Sequence, residues 1–215
     1  FAEYVKVPIS EVFQVNCNWT DAELATIPCS YGTAENMLYL SQCNKNDKVL
    51  VTGASGGVGS AAIQLAKVRG SHVIAILNKN KFDFAFKIGA DEVIDRNDDY
   101  LKALGSNSVN LVVDVVGGGQ FPNYLKLIKP GGRYVVSGAI AGSKVSLDLR
   151  DLYLKDIKMI GSTTWEEPVF NNLIKYIENN QIVPLLSKSF PLSEIISAQK
   201  EFLLKKHFGN FVLIP

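Results

Sequence analysis

The sequence predicts an α/β fold with a six-stranded parallel sheet, and three observations support that class. From residue 48 onward, short apolar runs alternate with amphipathic stretches, which is the pattern of strands joined by helical crossovers. Several runs are continuous in Val, Ile and Leu, as in strands that helices cover on both faces. A glycine-rich turn follows the first strand, at residues 52–59.

The predicted elements follow the chain in order. Strands are predicted at 48–52, 72–77, 92–95, 110–116, 132–137 and 157–161, and helices at 58–69, 79–88, 98–104, 120–128 and 151–155. In the first helix, Val58, Ala62 and Leu65 form one apolar stripe, and Gly70 suits the left-handed residue that ends a helix. The Pro130-Gly131-Gly132 turn is predicted to stop one element before the fifth strand begins.

The flanking segments have a different pattern. Residues 2–8 alternate like an exposed strand, and residues 30–43 read as a helix. Thr20 and Glu23 have the spacing of a capping box at a helix start. Ser193 is predicted to cap a helix over 193–206, and a closing strand is predicted at 209–214.

Composition excludes several classes of protein. The chain has 215 residues and is 47% hydrophobic and 20% charged, which is ordinary for one or two globular domains. Its 22 basic and 21 acidic residues give a net charge of +1, so no strong field favours nucleic acid or an anionic membrane. No apolar run reaches the ~18–20 residues of a membrane span. Three cysteines without a Cys-x-x-Cys pair favour a reducing compartment, here the cytoplasm.

The most informative motif is Thr52-Gly53-Ala54-Ser55-Gly56-Gly57-Val58-Gly59, which joins a predicted strand to a predicted helix. That context is typical of a dinucleotide-binding turn. Gly53 permits the tight turn, and Gly59 lets the helix pack closely on the strand. Gly56 and Gly57 allow the backbone to approach a pyrophosphate. The free amides and the dipole of the helix at Val58 attract that anion, and Ser55 could donate one more hydrogen bond.

Other turns share parts of this pattern. A P-loop ends in Gly-Lys-Ser/Thr, whereas Ser60 follows Gly59 here. Short-chain dehydrogenases also need Tyr-x-x-x-Lys, and none of the eight tyrosines has Lys four positions later. A glycine turn without a ligand is the remaining alternative. The chain from residue 48 onward contains six predicted strands, and in that context the glycine-rich turn indicates dinucleotide binding.

Six segments, read in order, resemble the medium-chain dehydrogenase/reductases, the superfamily of zinc alcohol dehydrogenases and zinc-independent quinone or enoyl reductases. They are residues 1–8, 27–35, 49–59, 89–95, 127–133 and 209–213. The resemblance implies a doubly wound Rossmann sheet in the order 3-2-1-4-5-6, with remnants of a GroES-like catalytic domain at both ends. Most of that lobe would be absent. The implied division is 1–30 for the truncated GroES-like domain, 31–165 for the dinucleotide-binding domain and 166–215 for the return segment.

The same resemblance implies a function. The chain would be mainly the cofactor domain of an oxidoreductase that moves hydride between NAD(P)H and an alcohol, carbonyl or activated alkene of a small-molecule substrate. A homodimer through the edge strand near 158–161 is implied as well. The alternative is a stand-alone dinucleotide-binding or redox-sensing module without catalytic activity. The catalytic residues and the substrate are not identified.

The second predicted strand indicates which nicotinamide cofactor is bound. NAD-specific folds usually place a carboxylate near its end, and by resemblance that position falls near Ile76. No carboxylate occurs from residue 71 to residue 82. Asn78, Lys79 and Lys81 could instead contact a 2′-phosphate, so the sequence favours NADP over NAD.

The resemblance also implies the remaining site residues. Thr33 would lie under the nicotinamide ring, and Cys29 matches a zinc ligand of the zinc-dependent branch. The other zinc ligands belong to the absent lobe, so zinc is expected only in a full-length context. Adenosine-side contacts would come from Val116 and Gly117, and nicotinamide-end backbone contacts from Ser137, Gly138, Ala139 and Ile140. The usual closing Gly-Lys is Gly209-Asn210 here.

Overall fold

Six parallel strands pair in the order β3-β2-β1-β4-β5-β6 in a computed structural model that describes residues 1–215. This order confirms the prediction. The strands are β1 (Lys48–Val51), β2 (His72–Leu77), β3 (Glu92–Asp95), β4 (Val109–Asp114), β5 (Ile128–Val136) and β6 (Lys158–Gly161). Two later strands, β7 (Leu186–Pro191) and β8 (Asn210–Ile214), form a separate parallel pair.

Nine α-helices surround the sheet or flank it. They are α1 (Asp21–Leu24), α2 (Gly32–Leu40), α3 (Gly57–Val68), α4 (Phe82–Lys87), α5 (Tyr100–Leu104), α6 (Phe121–Leu127), α7 (Leu149–Tyr153), α8 (Pro168–Glu178) and α9 (Ile195–Leu203). Short 3₁₀ turns cover Ile9–Glu11, Lys79–Lys81, Gly118–Gln120 and Leu192–Glu194, and a π-helical turn covers Ile27–Tyr31. None of these helices has the length and apolarity needed to cross a membrane.

The hydrophobic core lies in two layers, one on each face of the sheet. Side chains alternate along a strand, so Val49 and Val51 join one layer while Leu50 joins the other. The first layer packs against α2, α3 and α8. The second packs mainly against α6. Coverage on both faces explains why β1 is almost uniformly apolar.

Several predicted boundaries are wrong. Residues 2–8 form no strand, because no neighbouring strand pairs with this exposed segment. Ser193 is not an N-cap, since it lies within a 3₁₀ turn and α9 begins at Ile195. The Pro130-Gly131-Gly132 segment lies inside β5, where the strand register shifts and Gly131 has a φ of +72°. The capping box of Thr20 and Glu23 is confirmed.

Two elements were missing from the sequence prediction. One is α8, whose buried residues Val169, Leu173 and Ile177 recur every four positions behind an N-terminal proline. That spacing could have predicted the helix. The other is β7, which has only one buried residue, Phe190, and therefore no clear apolar pattern.

Candidate functional site

The glycine turn connects β1 to α3 where β1 lies between β2 and β4. This is the point at which the strand order reverses, and parallel sheets bind ligands outside the carboxyl ends of their strands there. Gly53 has a φ of +57°, and its carbonyl accepts a 3.0 Å hydrogen bond from the Gly56 amide. This left-handed conformation favours glycine because a Cβ would be strained.

Gly59 is the position at which the helix approaches the turn most closely. A Cβ built on Gly59 would overlap the carbonyl oxygen of Gly53 and the Cα of Ala54. The backbone of α3 can therefore lie this close to the turn only with glycine at this position. The role predicted for Gly59 in helix packing has this physical basis.

Gly57 lies against side chains from two other segments of the chain. A Cβ there would overlap the Ser30 hydroxyl and approach the side-chain oxygen of Asn210. Ser30 itself donates a 2.7 Å hydrogen bond to that oxygen. Gly57 thus makes room for two protein side chains as well as for any ligand, whereas a Cβ at Gly56 would have only an ordinary 3.5 Å contact.

The first turn of α3 offers free donors. The amides of Val58 and Gly59 have no acceptor within the protein, and the positive end of the helix dipole lies at the same point. Ser55 is half-buried and its hydroxyl has no hydrogen-bond partner. These groups fit an anionic diphosphate, which needs several converging donors.

Asp114, at the end of β4, organises the neighbouring loop. Its fully buried carboxylate accepts hydrogen bonds from the Thr52 hydroxyl at 2.6 Å and the Tyr134 hydroxyl at 2.6 Å. It also accepts from the amides of Val116 at 2.9 Å and Gly117 at 3.0 Å. Burial, with Asp114 beside it, raises the pKa of Tyr134 far above its ordinary value. Tyr134 therefore remains a donor, and the carboxylate fixes the carboxyl ends of three adjacent strands.

The loops after β4 and β5 meet above the sheet. The Gly118 amide donates to the Gly142 carbonyl at 3.0 Å, and the Ala141 amide donates to the Val116 carbonyl at 2.9 Å. Gly138 has a φ of +151°, and a Cβ there would overlap the Val115 carbonyl oxygen, which lies 2.8 Å away. The predicted contacts at 116–117 and 137–140 are thus neighbours at one edge, with Ile140 largely exposed at 77%.

The basic residues after β2 separate into two groups. Lys79 is exposed and makes no ion pair. Asn78 caps the turn that follows, accepting from the Asn80 amide. Lys81 is 9% exposed, and its ammonium donates to the carbonyls of Lys205 at 2.9 Å and His207 at 2.6 Å. Its ammonium is already partnered by these carbonyls rather than directed to solvent.

Arg96 is a residue that sequence reasoning missed. It follows β3, and its amide donates to the Leu77 carbonyl at 2.8 Å, which places it beside the end of β2. The side chain is exposed and unpaired by carboxylates, and its charge helps burial to lower the pKa of Lys81. The pairing of β2 with β3 brings it there. A basic residue directly after the third strand was the available signal.

Thr33 and Cys29 lie on the two turns that precede β1. Cys29 is exposed in the π-helical turn, and Thr33 is half-buried in the first turn of α2. Buried Tyr31 anchors this region through hydrogen bonds to Gln64 and to the Val183 carbonyl. No cluster of three His, Cys, Asp or Glu side chains suits a metal.

The apolar hollows of the protein lie elsewhere. The larger, of about 510 Å³, lies between Phe1 and the exposed face of α9. The second lies between α8 and the segment around Phe13. Parallel α/β sheets bind dinucleotides outside the carboxyl ends of their strands, and neither hollow lies there.

A doubly wound sheet with a glycine turn at its switch point defines a dinucleotide-binding α/β protein. The zinc-binding dehydrogenase family matches residues 57–179, and the chain belongs to that family. Similar proteins include an acryloyl-coenzyme A reductase of Sulfurisphaera tokodaii, 31% identical over the whole chain and 65% of its own length. An NAD-dependent alcohol dehydrogenase of Sulfolobus acidocaldarius is 29% identical over 99% of this chain and 63% of its own length.

Solved structures agree with this assignment. A Sinorhizobium meliloti 1021 structure, provisionally identified as an alcohol dehydrogenase, is 42% identical with a TM-score of 0.92, covering 97% of this chain and 59% of that one. The 2-octenoyl-CoA carboxylase reductase CinF, in complex with NADP and 2-octenoyl-CoA, is 26% identical with a TM-score of 0.86. It covers 96% of this chain and 53% of CinF. The chain spans less than two thirds of the length of the curated relatives it matches first.

Proposed function

We propose that the chain is the cofactor-binding part of a nicotinamide-dependent oxidoreductase acting on a small-molecule alcohol, carbonyl or activated alkene. The observation that supports this most directly is the pair of free amides, Val58 and Gly59, behind a left-handed glycine at the switch point. When bound, the nicotinamide supplies or accepts the hydride. The relatives named above act on alcohols and on acyl-CoA thioesters with a double bond.

The residues of the chain then bind and orient the cofactor. The amides of Val58 and Gly59 donate to the diphosphate, with Ser55 adding a hydroxyl donor. Thr33 would hold the nicotinamide end of the cofactor, together with backbone groups of 137–140. Val116 and Gly117 line the adenosine side, held in place by Asp114. Cys29 could ligate zinc only together with ligands from outside this chain, since it has no partners here.

The division of the chain that the sequence predicts is kept here as a proposal. We propose that residues 31–165 bind the dinucleotide and that 1–30 and 166–215 belong with a GroES-like catalytic domain. The separate β7–β8 pair supports this proposal for the end of the chain, because its two strands do not join the six-stranded sheet. The start of the return segment differs, since α8 packs into the core layer of that sheet.

The cofactor is expected to be NADP rather than NAD. Lys79 and Arg96 place two free positive charges at the ends of β2 and β3, where the adenosine ribose lies in folds of this type. The Asp95 carboxylate is nearby, but it already accepts the amides of Lys79 at 2.7 Å and Asn97 at 2.9 Å. The 2′-phosphate that distinguishes NADP from NAD would therefore lie near two unpaired cations. The nearby Asp95 carboxylate already accepts hydrogen bonds from backbone amides.

Binding of both cofactors tests the function and the preference together. We expect NADPH to raise the melting temperature more than NADH does at equal concentration, because a ligand of the native state stabilises it. Arg96→Glu is expected to weaken NADPH by roughly ten- to a hundredfold, the effect of a lost charge-assisted bond, and to leave NADH nearly unchanged. Lys175→Glu, an exposed charge reversal on α8, is the matched control. A shift with neither cofactor would contradict the proposed function, and tighter binding of NADH would contradict the preference.

We also propose a homodimer through β6. This strand is the outer edge of the sheet, and Met159 within it is 42% exposed. An unpaired edge presents backbone donors and acceptors that a second copy can satisfy. Sedimentation velocity at high concentration is expected to give about twice the mass of one chain. A single monomeric species under those conditions would count against the dimer.

A further inference from the structure

Residues 205–210, here termed the closing segment, connect both ends of the candidate site. At the adenosine end, the Lys81 ammonium donates to the carbonyls of Lys205 and His207. Lys81 also lies 5.0 Å from the ring of Phe208, which stacks on Phe84 of α4 at 4.2 Å. The closing segment is therefore fastened to the turn after β2.

The same segment lies against the glycine turn. The Gly209 amide donates to the Ser55 carbonyl at 3.2 Å, and Gly56 and Gly209 pair as an isolated parallel bridge. Gly209 has a φ of +64°, and a Cβ there would overlap the Leu185 carbonyl. Only glycine fits this bend without strain.

Asn210 extends the contact towards the π-helical turn. Its side-chain oxygen accepts from the Ser30 hydroxyl and lies where a Cβ of Gly57 would be. Its side-chain nitrogen is buried and has no partner. A buried donor without an acceptor is costly, and both N–H donors of this amide are available beside the glycine turn.

We propose that the closing segment clamps the glycine turn in its ligand-binding conformation, and that Lys81 is the positioning residue that anchors the clamp. The inference rests on the proposed function, because the turn is taken to hold a nicotinamide dinucleotide. Lys81 contacts no part of the cofactor in this arrangement. It acts through two carbonyls, so its loss affects the diphosphate that NADPH and NADH share.

Cofactor affinities distinguish two possible roles of Lys81. A lysine that contacts the 2′-phosphate lowers the Kd of NADPH but not that of NADH, whereas a lysine that anchors the closing segment affects both Kd values equally. Lys81→Met is expected to raise the Kd of both cofactors about tenfold, the effect of losing charged hydrogen bonds, with an unchanged NADPH/NADH ratio. Lys81→Arg, which keeps the charge and donors, is expected to restore much of the affinity. Lys87→Met on the exposed side of α4 is the matched control.

Amide hydrogen exchange tests the clamp without any cofactor. In the unliganded protein, Lys81→Met is expected to speed exchange of the amides of Gly56, Ser60 and Gly209, which are hydrogen-bonded within the turn or onto it, while the amides of β4 keep their protection. Gly209→Ala is expected to act on the same segment, so the double variant should lose less affinity than the two single losses combined. These exchange data remain informative even if the wild type binds neither cofactor, an outcome that would contradict only the proposed function.

Three results would overturn the clamp. One is a selective loss of NADPH in Lys81→Met, which would assign the lysine to the 2′-phosphate. The second is unchanged exchange of the amides of Gly56, Ser60 and Gly209 in a folded Lys81→Met protein. The third is a lower melting temperature with unchanged Kd values, which would make the anchor a contributor to stability alone.

Discussion

Gly59→Ala is expected to abolish detectable cofactor binding and to destabilise the fold. Alanine favours a helix over glycine by about 1 kcal/mol, so the substitution would help α3 if space allowed. The new methyl group, however, would overlap backbone atoms of Gly53 and Ala54, which cannot rotate away. Overpacking of this kind costs about 1–3 kcal/mol or more. The steric term therefore exceeds the helix propensity, and α3 must move away from the turn.

Gly56→Asp is the control that separates folding from binding. Gly56 is the N-cap of α3 with extended backbone and an open environment, and aspartate is a preferred N-cap. The fold should therefore retain its melting temperature. The added carboxylate would repel a diphosphate at the same helix end, so cofactor binding should be lost. Thermal unfolding and isothermal titration calorimetry with NADPH measure both effects.

A Gly59→Ala protein with the melting temperature and the NADPH affinity of the wild type would refute the proposed packing of α3 against the turn.

Asp114→Ala is expected to be the most destabilising substitution of a polar residue. The change would leave the hydroxyls of Thr52 and Tyr134 and the amides of Val116 and Gly117 without their acceptor. Each buried donor left without an acceptor costs about 1–3 kcal/mol if the structure does not adjust. Water that enters the space left by the carboxylate can accept some of these hydrogen bonds, so the total cost is smaller than the sum over the four donors. We expect a loss of about 3–5 kcal/mol, which is of order 10 °C in melting temperature for a chain of this size.

Matched variants distinguish the network from a general charge effect. Tyr134→Phe removes one of the four hydrogen bonds and should cost about 1–2 kcal/mol. Asp98→Ala removes an exposed carboxylate that accepts no side-chain hydrogen bond and should change little. Urea unfolding of the three variants gives the comparison. Equal stability of Asp114→Ala and Asp98→Ala would mean that the buried carboxylate does not organise the strand ends.

The fold was largely predictable because its information is local. Strands such as β1 and β2 are buried on both faces and therefore apolar throughout. The bend at Gly53 and the close approach at Gly59 each require glycine, so their physical causes are visible in the sequence. The strand predictions were wrong where a strand depends on pairing with a segment that is distant in the sequence. Residues 2–8 have a strand-like pattern but no strand partner, and β7 is too exposed to show one.

The site was predictable in position and only partly in detail. The residues at 53–59, 78–79, 116–117 and 137–140 all follow strands, and parallel strands bring their carboxyl ends to one edge. Sequence reasoning grouped Lys81 with the ligand-facing cations and did not foresee that its ammonium donates to carbonyls more than 120 residues away in the chain. Arg96 was overlooked for the related reason that only the pairing of β2 with β3 places it there.

The sequence by itself determined the sheet, its glycine turn and the family. Backbone conformation and burial impose residue types that can be read one position at a time. Tertiary structure alone decided which charges are free and which are used by the protein, as in the contrast between Lys79 and Lys81. A hydrogen bond depends on a partner within about 3 Å, and folding sets that distance between residues that are remote in sequence.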